Sequence, residues 1–253
     1  MSPLTLDAAV SAPSAPVAEG DRPAWPRLQP GDVHVWQALL DDTDPERDRA
    51  LLSADEQERA SQYRFDRDRF HFVSGRARLR MILGRYLGRD PAGLVLACGP
   101  HGKPRLVQPE GEEPLHFNVS HSDGVALYAL AYEGPVGVDI ERMRDIPDWA
   151  DIAATVFTAQ ERARIRGLPA EWRMRGFMEA WTRQEAFLKA TGEGLGLEEP
   201  GLRDAQECGY TLQPLTPMVG YLATLASAFE PARVVFTNWS DAPSPTPFST
   251  TES

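Results

Sequence analysis

The order strand, helix, strand occurs twice along this chain, and no other feature limits its possible folds as much. Val33-His-Val-Trp36 reads as a strand, and Ser53-Ala-Asp-Glu56 has the capping-box form that opens a helix. A longer helix is predicted over Asp68 to Leu87. Short strands follow around His116 to Val119, Val125 to Tyr132 and Val136 to Glu141, with Gly and Pro between them. Helix returns at Phe157-Thr-Ala-Gln-Glu161, a second capping box, and over Trp172 to Ala190, which Gly192 ends. Tyr221 to Ala226 and Arg233 to Phe236 close the chain as strands. The expectation is an α+β protein of two similar α+β subdomains, 31–135 and 136–239, meeting near Gly134-Pro135.

The flanks differ in kind. Residues 1–30 carry Pro3, Pro13, Pro16, Pro23, Pro26 and Pro30 among Ala, Ser and Val, and residues 240–253 are similar. Such segments bury too little apolar surface to offset the entropy of ordering, so a disordered leader and a disordered tail are expected. What remains is long enough to build a core without disulfides. Cys98 and Cys208 lie 110 residues apart with no CxxC spacing, which implies neither a zinc site nor a secreted disulfide framework. No run of eighteen apolar residues occurs, and a formal net charge of −11 disfavours a phosphate-neutralising nucleic-acid binder. A cytoplasmic monomer is expected, with neither membrane nor nucleic acid as partner.

Charge is unevenly placed. The chain has 24 arginines but only two lysines, Lys103 and Lys189. Between Arg59 and Arg89, nine arginines against Asp66 and Asp68 give +7 within an acidic protein. On the helix from Asp68, Phe72, Leu79, Leu83, Tyr86 and Leu87 form one apolar stripe at 100° per residue. Arg78, Arg85 and Arg89 fall opposite it and read as a solvated face. Arg76 and Arg80 project at the edge of the stripe, where an arginine costs stability unless an anion meets it. This island suits a polyphosphate ligand or an acidic partner, unless its arginines pair with acids elsewhere.

Gly137-Val-Asp-Ile-Glu141 alternates, sending Val136, Val138 and Ile140 to one face and Asp139 and Glu141 to the other. Two carboxylates roughly 7 Å apart along a strand can share one hard cation such as Mg²⁺, though an alternating strand also exposes acids merely to solvent. On the helix from Trp172, Phe177, Trp181 and Leu188 make the apolar stripe and Glu185 projects between them, one turn before Lys189. An i,i+4 ion pair between Glu185 and Lys189 and a functional acid both account for that placement. Phe117-Asn-Val-Ser-His121-Ser122 runs a strand into hydroxyl and imidazole donors suited to phosphate oxygens. No hydrolase triad order is present.

Taken together, these segments resemble the larger, single-chain, pseudo-dimeric phosphopantetheinyl transferases, often called the surfactin-type family. The resemblance covers about Ser53 to Leu197. Gly102-Lys-Pro104, Phe117-Asn-Val-Ser-His121-Ser122, Gly137-Val-Asp-Ile-Glu141, Phe157-Thr-Ala-Gln-Glu161 and Trp181-Thr-Arg-Gln-Glu185-Ala-Phe-Leu-Lys189-Ala-Thr-Gly192 carry it, in order. It implies two subdomains arranged as a pseudo-dimer with the active site between them. It implies Asp139, Glu141 and Glu185 as Mg²⁺ ligands, and coenzyme A held by Lys103, Ser120, His121 and Lys189, and by Ser74, Arg76 and Arg80 of the helix resembling the family's coenzyme-contacting helix. Glu185 and Lys189 would serve the transfer step. The implied reaction moves the phosphopantetheine arm of coenzyme A onto a serine of an apo acyl or peptidyl carrier protein and releases 3′,5′-ADP. Gln184 departs from the lysine usual before the glutamate, and the helix from Ser53 offers only Arg59 and Arg64 where some members hold the ribose phosphate with lysines. A metal-dependent nuclease would also use clustered acids and a lysine, but net charge disfavours it. An inactive carrier-binding module would not need all three acids.

Overall fold

The structure is a computed structural model describing residues 25–99, 103–192, 205 and 208–239. Its elements in chain order are β1 (Asp32–Leu39), α1 (Pro45–Ala50), α2 (Ala54–Ser61), α3 (Asp66–Leu87), β2 (Leu96–Cys98), β3 (Pro104–Leu106), β4 (His116–Ser122), β5 (Val125–Ala131), β6 (Val136–Arg142), α4 (Trp149–Val156), α5 (Ala159–Arg166), α6 (Ala170–Thr191), β7 (Thr211–Leu215), β8 (Tyr221–Ser227) and β9 (Arg233–Asn238). The mixture of helices and small sheets, in two subdomains, is the α+β arrangement expected.

Two sheets pack face to face. One has the strand order β4-β5-β1-β9 and the other β6-β8-β7. Alternation along β1 explains the layering. Val33 and Val35 join Val125, Leu127, Ala129, Val138, Ile140 and Leu225 in a core between the sheets. Trp36, Ala38 and Leu40 point the other way, onto Leu79, Ile82 and Leu83 of α3. β5 is buried on both faces, which is why its sequence is continuously apolar. On the far side of the second sheet lies α6, so the layers run helix, sheet, sheet, helix. The close approach of α6 to β6 depends on Gly137: a Cβ there would lie 2.0 Å from the Ala186 carbonyl oxygen and 2.4 Å from the Ala190 nitrogen.

The helix starts obey their capping chemistry. Ser53 and Glu56 make the reciprocal box at α2, and the Thr158 hydroxyl accepts from the Glu161 amide at α5. α3 and α6 begin two residues before their expected starts and end on left-handed Gly88 and Gly192.

Three expectations need correction. The C-terminal strand does not stay with the second subdomain, because β9 pairs parallel with β1 and extends the first sheet. Order begins before residue 31: the Trp25 ring lies 4.6 Å from that of Trp36 and 5.9 Å from that of Trp239, and Leu28 packs on the same core. Proline-rich composition hid these two apolar anchors. Arg78 is not solvated. It is 8% exposed, donates to the Asp42 carbonyl at 2.9 Å and lies over Trp239, because α1 and the residues beside it cover the face of α3 turned away from the sheet. Residues 1–24 of the expected leader, the tail 240–253, His101-Gly102, and residues 193–197 of the resemblance lie outside the described residues.

Candidate active site

The site forms where α6 crosses β6 and β4 approaches from the first sheet. Because Gly137 lets α6 lie against β6, Lys189 comes down over the next acid on that face. Lys189 Nζ donates to Asp139 Oδ1 at 2.6 Å and to Ser120 Oγ at 3.0 Å, and Ser120 Oγ donates to Asp139 Oδ1 at 2.9 Å. These three residues come from α6, β4 and β6, so both subdomains contribute. Asp139 is 2% exposed. Burial pushes its carboxyl above the usual range, Lys189 opposes the shift, and Glu141 adds to it. Burial likewise raises Glu185, with Lys189 lowering and Asp139 raising it. Glu185 therefore shares the electrostatic field of this site. Glu141, one step further along β6, accepts from Ser122 Oγ at 2.8 Å.

Of the three acids expected as cation ligands, Asp139 and Glu141 alternate along β6, and Glu185 on α6 lies within reach of the charges of Asp139 and Lys189. Among the described residues no three or more acids, histidines or cysteines are gathered into a ready ligand set. The donor chemistry nevertheless fits a hard cation at Asp139: Oδ1 is engaged by Lys189 and Ser120, whereas Oδ2 is buried with no hydrogen-bond partner. A buried carboxylate oxygen without a partner costs free energy that a cation would recover.

The residues expected to hold coenzyme A divide. Lys103 belongs to the site, donating to the Lys189 carbonyl near the end of α6, and burial lowers its affinity for a proton. His121 is exposed beside Lys189 and His71, its pKa lowered first by desolvation and then by their charges. Ser120 lies beneath Lys189, its hydroxyl occupied. Arg76 is nearly enclosed, 3.4 Å from Glu56 Oε1 and over the Phe72 ring.

Arg80 and Ser74 are corrections. Arg80 is 1% exposed and fully engaged inside the protein, donating to Glu56 Oε2 at 2.7 Å and to the carbonyls of Pro91 and Leu94 at 3.0 and 2.9 Å. The anion it needed is the capping glutamate of α2. Ser74 is also 1% exposed, with its Oγ buried and unpartnered, so no coenzyme reaches it in this conformation. Gln184 shows a buried Oε1 with no partner, at the position of the departure noted above.

Sequence reasoning missed the polar contacts at the end of β4. His71 Nε2 lies 2.6 Å from Asp41 Oδ1. Asp123, at φ +42° in the turn after β4, accepts from Arg67 at 2.9 Å and from Arg142, while its carbonyl takes the Tyr221 hydroxyl at 2.9 Å. The Asp123-Gly124 pair after a strand was the available signal, since Asp and Gly tolerate positive φ. Beside Glu141 opens a groove of about 360 Å³ lined by Arg144, Ile146, Phe177, Met178 and Trp181.

Two family models match this chain. That of the 4′-phosphopantetheinyl transferase superfamily matches residues 135–225, and that of the 4′-phosphopantetheinyl transferase N-terminal region matches residues 36–132. The chain is 39% identical over 171 residues to the 4′-phosphopantetheinyl transferase HetI of Nostoc sp., an alignment covering 66% of this chain and 72% of that protein. It is 29% identical over 148 residues to the 4′-phosphopantetheinyl transferase of Bacillus subtilis, covering 58% and 63%. With the human L-aminoadipate-semialdehyde dehydrogenase-phosphopantetheinyl transferase it shares 30% over 178 residues, covering 67% of this chain and 55% of the human one.

Proposed function

Since the chain belongs to the 4′-phosphopantetheinyl transferase superfamily, we propose that its cleft moves the phosphopantetheine arm of coenzyme A onto a serine of an apo carrier protein. The observation carrying this reading is the Lys189, Ser120 and Asp139 constellation, built across both subdomains with one carboxylate oxygen left unpartnered. Asp139, Glu141 and Glu185 would hold Mg²⁺, which when bound shields the pyrophosphate and stabilises charge on the leaving group.

The chain's own residues do the rest. The ammonium of Lys189 has three donors; Asp139 and Ser120 engage two, leaving one for a phosphate oxygen. Lys103 adds a second cation for a polyanionic coenzyme, and His121, its imidazole kept neutral, offers a ring N–H to a phosphate oxygen. Glu185, its proton affinity raised by burial, takes the proton of the carrier serine. The serine oxygen bonds to the phosphorus nearest pantetheine, the bond from that phosphorus to the ADP oxygen breaks, and 3′,5′-ADP leaves. Apolar walls of Ile146, Phe177, Met178 and Trp181 suit the uncharged arm.

Mass spectrometry of apo acyl and peptidyl carrier proteins incubated with the enzyme, coenzyme A and Mg²⁺ tests the reading. A gain of one phosphopantetheine arm, dependent on Mg²⁺ and accompanied by 3′,5′-ADP, is the expected result. No gain with any carrier would overturn it.

A further inference from the structure

One set of polar side chains ties the two subdomains together behind the acids of β6. Among the described residues, β4 and β6 run side by side with no backbone ladder between them, and β6 pairs with β8 on its other edge. Alternate side chains of β4 close the gap. Asn118 Oδ1 accepts from the Val138 amide at 2.9 Å, Ser120 Oγ from the Ile140 amide at 3.4 Å, and Ser122 Oγ from the Arg142 amide at 3.2 Å. Three alternate amides of β6 therefore end on side chains of the other subdomain, in step with the period of two in β4. Two of these side chains also reach acids: Ser120 donates to Asp139 at 2.9 Å and Ser122 to Glu141 at 2.8 Å.

We propose that this seam positions the acids of β6 and that Ser122 is the positioning residue of Glu141. A serine hydroxyl has one proton and two lone pairs. Ser122 directs its proton to Glu141 Oε2 and accepts the amide of the next residue, so one atom grips both the carboxylate and the backbone that carries it. One carboxylate oxygen is fixed, and the rotamer with it, while the other is left for a ligand. Ser120 does the same for Asp139. Its single proton goes to that carboxylate, and both lone pairs face donors, Lys189 and the Ile140 amide. It thus acts on Asp139 rather than on the coenzyme that the resemblance assigned to it. Partners one step outside a metal-binding carboxylate commonly change metal affinity about 10- to 100-fold when removed. This assignment rests on reading Asp139 and Glu141 as cation ligands.

Mn²⁺ serves as the probe, titrated by electron paramagnetic resonance into the full chain with coenzyme A present, alongside thermal melting. Ser122→Ala is expected to weaken Mn²⁺ binding by about 10-fold, and Ser122→Thr, which keeps the hydroxyl, to restore it. Asn118→Ala removes a seam bond that touches no acid, so it lowers the melting temperature without moving Mn²⁺ affinity. The comparison of Ser122→Ala with Ser122→Thr stands by itself if Asn118→Ala does not fold. Unchanged Mn²⁺ affinity in Ser122→Ala, or equal losses in Ser122→Ala and Asn118→Ala, overturns the positioning role. If the unaltered protein binds no Mn²⁺, the cation reading beneath it fails instead.

Discussion

Glu185 shows how burial changes the acidity of an ordinary side chain. Its carboxyl titrates above the ordinary value of 4.5 because desolvation outweighs the attraction of Lys189. In its proposed role of proton acceptor it works only when ionised, so turnover should fall as acid protonates it. Glu185→Gln should lower kcat by roughly 100-fold or more and abolish that acid limb. A kcat profile against pH, taken at saturating coenzyme A for both proteins, checks this. The arginines of α3 give a second test at this scale. Arg80→Met strips the principal cation from buried Glu56 and takes a donor from the Pro91 and Leu94 carbonyls, which should cost about 3–5 kcal/mol of stability. Coenzyme affinity of the folded protein should stay unchanged. Arg76→Met should instead weaken coenzyme A binding by roughly 1.5–3 kcal/mol. Calorimetric titration of both variants separates them, and an equal loss of affinity would place Arg80 at the coenzyme after all.

The elements carry constraints that no single side chain shows. Gly137→Ala would force α6 off β6, since the added carbon meets backbone atoms, which cannot rotate aside. The expected loss is about 1–3 kcal/mol or more, together with a fall in turnover, because Lys189 and Asp139 sit on the two displaced surfaces. Denaturant unfolding and a transfer assay read the two effects. Much at this scale was legible in the sequence. The period of two in Gly137-Val-Asp-Ile-Glu141 placed both acids on the face opposite the apolar core, and the box at Ser53 and Glu56 marked a true helix start. The faces of α3 were not legible. Helical periodicity identifies the stripe that meets the sheet, but it is blind to what covers the other side, so Arg78 and Arg80 were expected at surfaces that α1, α2 and the 88–94 segment enclose. Nor could the alternation of Asn118, Ser120 and Ser122 announce its partner, since the amides it meets lie some twenty residues away.

Over the whole molecule, stability depends on pH through a histidine far from the chemistry. His34 is 1% exposed on β1, with Nδ1 2.6 Å from the Tyr86 hydroxyl, and burial lowers its pKa from 6.5 to about 4. The unfolded chain binds a proton that the folded one refuses, so this stabilisation is complete above pH 6.5 and is lost as pH falls toward about 4. The total is about 3 kcal/mol. Subtracting the stability–pH curve of His34→Gln from that of the unaltered protein should isolate this slope, and parallel curves would refute it. The two-subdomain plan was legible from the repeated order of strands and helices, but the return of β9 to β1 was not, because pairing between distant strands leaves no local pattern. That return has a consequence for the chain as it is made. Until Arg233–Asn238 leaves the ribosome, β1 has no neighbour on one side and stands as an open template for foreign strands. The acids and Lys189 have all been synthesised by then, yet the sheet behind them is still a strand short. The first sheet therefore waits for its last strand, and a ribosome stalled short of residue 233 presents a nascent chain that invites aggregation or chaperone capture.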